Sequence, residues 1–519
     1  MSGLWADAFA RVPSLLAAHV ELCLAALVLA MLISLPLSVW AARSRRASGV
    51  VLTVASIIQT IPALALLALF YPLLLALRSL VGDWLTPLGF LPALMALTLY
   101  ALLPIIRNAV TGLTGVDPAM VEAADGVGMT ARQKLLWVEA PLAAPTIMAG
   151  IRTAAVWTIG IGTLATTIGQ SSLGDLIFAG LQTQNWALVL AGCIASAGLA
   201  LIVDQLLGLI QRGLAERKKW KLWTALVLLA AGLLLALGPR LVASAGGGSD
   251  REVVTVGAKG FSEQYILARM IGTQLERAGY AVRYREGLGS AVVFQALSNG
   301  DIDVYVDYAG TIWTNEMNRA KPIPRDAMRR AIGDWAMKQH GVRLVGALGF
   351  ENAYAFAVRR MDARARGLKT LDDLARLSPQ LSLGADLEFL DRPEWAQVKA
   401  AYPMRFASER AYDPTFMYRA LQSGQVDAIS AFSSDGRIAA FDFVTLSDPE
   451  GAIPNYDAIM MVSPKHAKDQ RFLDAVQPLV GAIPVDAMRA ANYMVDREED
   501  KSSPATAAAW LLRKTGIEE

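Results

Sequence analysis

Long apolar runs fill the first half of this chain and short alternating ones fill the second, so the hydrophobic pattern alone divides it in two. Runs broken by charged residues predict membrane-spanning helices near 18–42, 51–77, 84–106, 143–167, 187–210 and 222–242, each long enough to cross a bilayer core of roughly 30 Å. Between Val50 and Ile106 only Arg78 and Asp83 are charged, and between Leu142 and Gln211 only Arg152, Asp175 and Asp204. Beyond Asp250 the pattern becomes strand alternating with helix. Strands are predicted at Val253–Gly257, Ala281–Arg285, Ile302–Val306, Arg343–Ala347, Tyr354–Val358, Leu381–Gly384, Val426–Ala431, Phe443–Leu446 and Ala458–Val462, with helices at Ser262–Ala278 and Ala291–Ser298. That order implies α/β layers with largely parallel sheets, and about 270 residues suit two lobes better than one.

The joint between the halves, residues 217–250, carries a basic cluster, an apolar run of about 20 residues and the glycine-rich linker Gly246, Gly247, Gly248 and Ser249. Arg217, Lys218, Lys219 and Lys221 belong on the cytoplasmic side, which sends the C-terminal half outside. The other connections agree. Arg43, Arg45, Arg46, Arg107, Arg132, Lys134 and Arg212 fall on the same side as that cluster, against Arg11, Arg78 and Arg240 on the other. Both termini are therefore expected outside. The first apolar run lacks a basic leader and continues too long for a cleavable signal, so it reads as a retained anchor.

Composition narrows the class. A chain that is 54% apolar with a mean hydropathy of +0.39 is too apolar to be wholly soluble. A net charge of +2 sets aside no basic face for nucleic acid. Cys23 and Cys193 both lie in apolar segments, and His19, His340 and His466 are scattered, so neither a disulfide framework nor a metal site is expected. Arg152 and Asp204 lie inside predicted spans near their cytoplasmic ends, where snorkelling or mutual pairing would satisfy them.

The loop 117–145, DPAMVEAADGVGMTARQKLLWVEAPLAAP, predicts a helix over Pro118–Asp125, a glycine turn at Gly126 and Gly128, and a second helix over Ala131–Val138 ended by Pro141. The spacing of Glu122, Ala123, Ala124, Gly128, Val138 and Pro141 resembles the EAA loop of permease subunits of ABC importers, with residues 18–211 following the rest of the permease pattern. The resemblance implies that this loop docks into a groove on a separate ATPase subunit, Gly128 supplying the bend and the small alanines allowing close approach. No phosphate-binding G-x-x-x-x-G-K-[ST] motif is present, so ATP with Mg would be hydrolysed by that partner, and this chain needs no cofactor of its own. Neither a nucleophile elbow nor a metal-ligand cluster suggests an enzyme.

Polar and aromatic residues recur just after predicted strands, where open α/β sheets bind ligands. They are Lys259 in GAKGFSEQY, Tyr308 and Thr311 in DVYVDYAGT, Asn352 and Tyr354 in FENAYAF, Glu388 and Arg392 in LEFLDR, Phe432 in AFSSDGR and Tyr456 in PNYDA. Residues 252–515 resemble the substrate-binding domains of osmoprotectant ABC importers of the glycine betaine, choline and carnitine type, most specifically in DVYVDYAGT and SSDGRI. The resemblance implies an aromatic box of Tyr308, Tyr354, Phe432 and Tyr456 around a quaternary ammonium head, with Lys259, Arg392 and Thr311 holding a carboxylate. Trimethylammonium has no hydrogen to donate, and its diffuse charge prefers aromatic faces worth about 0.5–2 kcal/mol each. Phe432 stands where tyrosine is usual and Asn352 where some members carry an acid. Tyr412 and Tyr418 are the alternates to Phe432, Trp313 and Trp395 read as packing residues, and Glu388 is positioned to orient Arg392.

Together these readings predict an all-α polytopic membrane domain over 1–216 with five core helices and the EAA loop at 117–141. A sixth helix and linker over 217–250 and a two-lobed α/β binding-protein-like domain over 251–519 follow. The implied assembly is a homodimer in the cell inner membrane with two copies of an ABC ATPase, importing a betaine-like small molecule. Another trimethylammonium solute such as ergothioneine, or a ligand-gated channel with a two-lobed domain, are the alternatives; no carbonyl-lined filter such as TVGYG supports the channel.

Overall fold

The computed structural model describes residues 2–81, 88–182, 185–245, 251–319, 323–386, 389–412, 414–497 and 499–517. They form two compact units, Ser2–Ile177 with Ala187–Ser249, and Phe178–Trp186 with Asp250–Glu519. The linker residues Gly246 to Ser249 lie outside the described residues.

In the helical unit, Ala8–Arg43, Phe90–Thr114, Ala131–Ile168, Trp186–Ala215 and Lys219–Gly238 are long and apolar enough to cross a membrane. The segment expected as one span over 51–77 is broken. Arg45–Thr60 and Ala63–Arg78 meet at 95° around Ile61 and Pro62. Proline has no N–H to give and its ring drives the preceding residue out of helical geometry, so Ile61 is extended, with ψ 127°. Its carbonyl is taken by the Tyr100 hydroxyl. Counting the bent pair as one span gives six spans among the described residues.

Small residues let the helices close in. A Cβ on Gly150 would lie 2.6 Å from the Pro104 carbonyl oxygen, so Phe90–Thr114 and Ala140–Gly162 approach nearly backbone to backbone. Arg152 and Asp204 pair, Nε to Oδ1 at 2.5 Å and Nη2 to Oδ2 at 2.6 Å, as the mutual-pairing reading expected.

The loop after Thr114 is a knob of two helical pieces. Asp117 caps Pro118–Gly126 through the Ala119 N–H, 2.9 Å away, and Thr130 with Gln133 forms a capping box on the second piece. Lys134 reaches back to both oxygens of Asp125 at 2.7 and 2.8 Å, closing the pair. Gly128 carries the turn with φ +77°, whereas Gly126 is still helical. Pro141 does not end the second helix. A π turn over Leu135–Glu139 widens the hydrogen-bond ladder beside the proline, and the helix runs on as Ala140–Gly162.

The second unit holds two five-stranded sheets. β1 (Val253–Lys259), β2 (Ala281–Leu288), β3 (Val304–Tyr308), β4 (Arg343–Glu351) and β10 (Asp457–Val462) pair in the order β2-β1-β3-β10-β4. β5 (Tyr354–Arg359), β6 (Ser382–Asp386), β7 (Ser408–Tyr412), β8 (Ala428–Phe432) and β9 (Phe443–Thr445) pair in the order β7-β6-β8-β5-β9. Each sheet has one reversed strand, β10 in the first and β5 in the second. These are the strands that the chain enters on crossing from one lobe to the other, so they begin where their neighbours end. The crossing segments lie side by side, with the Asn352 N–H donating to the Tyr456 carbonyl at 3.0 Å. β7, SERAY, escaped the sequence reading because its edge position leaves it polar.

Candidate ligand-binding site

Four forward strands end, and the two reversed strands begin, at a cavity of about 280 Å³. Lys259 closes β1, Tyr308 closes β3, Asp386 closes β6 and Phe432 closes β8, while Tyr354 opens β5 and Tyr456 immediately precedes β10. The last two therefore sit before their strands, not after them, because those strands run backwards. Thr311, Asn352 and Arg392 complete the set of expected residues on the cavity wall; Glu388 lies outside the described residues.

The aromatic residues stand in two groups on the cavity wall. Tyr354 and Phe432 are direct antiparallel neighbours with ring centroids 5.2 Å apart, and Tyr456 stands edge-on to Tyr354 at 5.8 Å. Phe261, absent from the sequence expectation, stacks on Tyr308 at 6.2 Å. A Cβ on Gly310 would fall 2.6 Å from the Tyr456 ring, so only glycine leaves that ring its place. Tyr418 is fully buried behind the wall, its hydroxyl oxygen accepting from the Phe432 N–H at 3.0 Å; Trp395 packs with Phe356 and Phe389 in the core. Both are packing residues.

The wall's cations are already paired. Lys259 Nζ lies 2.5 Å from Asp307 Oδ1, and Asp307 also accepts from the Tyr305 hydroxyl at 2.6 Å and the Tyr308 N–H at 2.7 Å. Arg392 donates to Glu394 through Nη2 at 2.7 Å and Nε at 3.2 Å, so the acid that orients it in the described structure is Glu394. Arg437 grips Asp435 through Nε at 2.9 Å and Nη2 at 2.6 Å and lies over the Tyr418 ring. Lys259 and Arg392 are thus not a free basic pair, and a ligand carboxylate would share them with Asp307 and Glu394.

Glu263, unremarked in the sequence although inside GAKGFSEQY, is the polar centre of the site. Buried at 2% exposure in the first turn of Ser262–Arg277, it accepts on Oε1 from the Tyr308 hydroxyl at 2.6 Å and Asn352 Nδ2 at 3.1 Å. On Oε2 it accepts from Ser434 at 2.5 Å and Asn492 Nδ2 at 2.8 Å. Burial lifts its carboxyl above the ordinary value and the four donors oppose that lift. Burial, reinforced by Glu263, pushes the Tyr308 hydroxyl well above its ordinary value and keeps it a donor. The amide oxygens of Asn352 and Asn492 are buried without a partner among the described residues. Asp496, which accepts from Ser262 at 2.5 Å, is raised by burial to about 6.

Residues 252–513 match the substrate-binding domain of the ABC-type glycine betaine transport system, and residues 34–216 match the inner-membrane component of binding-protein-dependent transport systems. The chain belongs to the ABC importers. It joins the permease and the substrate-binding domain of such an importer in one polypeptide. An ergothioneine transport permease/ergothioneine binding protein of Helicobacter pylori strain G27 is 29% identical over 495 residues, covering 93% of this chain and 86% of the relative. A choline transport system permease protein of Bacillus subtilis strain 168 is 40% identical over 196 residues, 38% of this chain and 85% of the relative. A glycine betaine/carnitine/choline ABC transporter structure aligns with 51% of this chain and 98% of its own at 28% identity and a TM-score of 0.45. As an importer subunit of this family the protein is a multi-pass inner-membrane protein, works with ATPase subunits and binds a small molecule. On the importer's knob, Glu122, Ala123 and Pro141 are exposed, while Ala124 is buried and so turns away from any docking face.

Proposed function

We propose that the C-terminal half captures a betaine-like quaternary ammonium solute outside the cell and delivers it to a pathway formed by two copies of the helical half. The observation that carries this reading is that Tyr308, Tyr354, Phe432 and Tyr456 all line one cavity whose lysine and arginines are each matched to an acid. Such a wall offers a cation several aromatic faces and opposes it with no uncompensated positive charge. Basic residues concentrated on alternate connections support a cytoplasmic knob and an external binding domain. Exposed Val127, Leu136 and Trp137, with Glu122, Ala123, Gly128 and Pro141 beside them, support the knob as the ATPase dock.

One observation favours a ligand larger than glycine betaine. A Helicobacter pylori relative that spans 93% of this chain is named for ergothioneine, a solute that adds a ring N–H donor to its trimethylammonium head. Calorimetry of the purified full chain with glycine betaine, choline, carnitine, proline betaine and ergothioneine tests the reading. Saturable binding of at least one is expected, and none would remove the quaternary ammonium assignment.

A further inference from the structure

The charges around the cage do not cancel evenly. Lys259 lies 5.6 Å from the Tyr308 ring but is bonded to Asp307, and Arg392, 5.4 Å from the Tyr354 ring, is bonded to Glu394. Asp435 has Arg437. Glu263 has neutral partners alone among the described residues: a phenol, a serine hydroxyl and two amides. Two of these are fixed as donors by their other contacts. The Tyr308 oxygen already accepts from Gln264 Nε2 at 3.0 Å, which turns its own hydrogen to Glu263, and Asn492 Nδ2 is held nitrogen-first by the Ser434 carbonyl at 2.9 Å. Asp386, which accepts from the Phe389 N–H, and Asp496, which accepts from Ser262, are the wall's other carboxyls, so the charge beside the cage is negative, and among the described residues Glu263 is the carboxyl without a bonded cation to which a cage phenol donates.

That charge bears on the ligand through one ring. A phenol that donates to a carboxylate is polarised towards phenolate, which enriches the π face with electrons and strengthens its attraction for a cation. Tyr456 also donates to a carboxylate, Glu394, but there Arg392 cancels the charge. Tyr308 has the uncancelled one. We infer that Glu263 is a specificity-determining positioning residue, which through the Tyr308 hydroxyl makes the cage select a cationic head over a neutral one of the same shape. This rests on the quaternary ammonium reading and deepens it by naming the group that supplies the counter-charge.

The test compares a charged probe with its neutral carbon isostere on the full chain in nanodiscs, choline against 3,3-dimethylbutan-1-ol, with glycine betaine as a second charged-head probe. Glu263→Gln keeps the shape and loses the charge; Tyr308→Phe keeps the ring and Glu263's other three donors but loses the link. Each variant is expected to weaken the charged probe roughly five- to tenfold and to leave the neutral one within about twofold, with the double variant no worse than either single one. A purely structural role would weaken both members of a pair alike, and that result overturns the inference, as does unchanged affinity for the cation. Should Glu263→Gln not fold, Tyr308→Phe decides the matter alone by the same selectivity. Failure of the wild type to bind either charged probe would instead strike at the quaternary ammonium reading itself.

Discussion

Gly310 does not line the cavity, yet replacing it with alanine should damage binding. Its new Cβ would sit 2.6 Å from Cε2 and Cζ of Tyr456, against an ordinary contact of 3.4 Å or more, so the ring must move by about 0.8 Å. Tyr456 has little freedom to do so. Its hydroxyl is bonded to Glu394, its edge meets Tyr354, and its ring is 2% exposed. Overpacking of this kind costs about 1–3 kcal/mol, which corresponds to roughly 5- to 150-fold in affinity if the strain is relieved by displacing the cage ring. Alanine is also favoured over glycine in helical geometry by up to about 1 kcal/mol, so the fold itself should survive. Calorimetry of Gly310→Ala with the best probe, repeated in a Tyr456→Ala background where space is open, measures the effect. Wild-type affinity for Gly310→Ala, or an equal further loss in the Tyr456→Ala background, would refute the reasoning.

Burial, with the Asp307 charge behind it, lifts the Glu316 carboxyl to about 7 from an ordinary 4.5. The folded state then holds a proton that the unfolded state releases, and stability falls as pH rises from about 4.5 to 7. Glu316→Gln in a 251–519 fragment should therefore gain about 1–3 kcal/mol at pH 8 in urea titrations, and the gain should vanish towards pH 4.5; a gap independent of pH would exclude the linkage. Gly128→Asp forces a side chain onto φ +77° in the knob and should abolish uptake by whole cells while leaving ligand affinity within about twofold, whereas normal uptake would count against the docking role. Protease added to spheroplasts should cut the C-terminal half, and protection until lysis would reverse the proposed orientation.

Much of the candidate cavity wall was readable because its aromatic residues sit where strands end or begin, and strand alternation is a local signal. Tyr308, Tyr354, Phe432 and Tyr456 could be named before the lobes were known. Their electrostatic partners could not. Glu263 meets Tyr308, Asn352, Ser434 and Asn492, residues brought together only by two lobes and a C-terminal helix, and Lys259 finds Asp307 across a sheet. In the helical half, hydropathy marked the spans but was blind to the 95° bend, because a proline inside an apolar run barely lowers the average. Pro141 misled in the opposite direction: the π turn absorbs it, and nothing in the local pattern announces that turn.

The Arg152–Asp204 pair has a consequence for biogenesis. Each charge alone would cost about 2.5–3.5 kcal/mol at the centre of a bilayer, and less near its edge. The two residues are separated by 52 positions, so Arg152 leaves the ribosome first and waits for its counter-ion. Its helix should linger beside the translocon until Trp186–Ala215 arrives, and the two would then partition into lipid as a single hairpin.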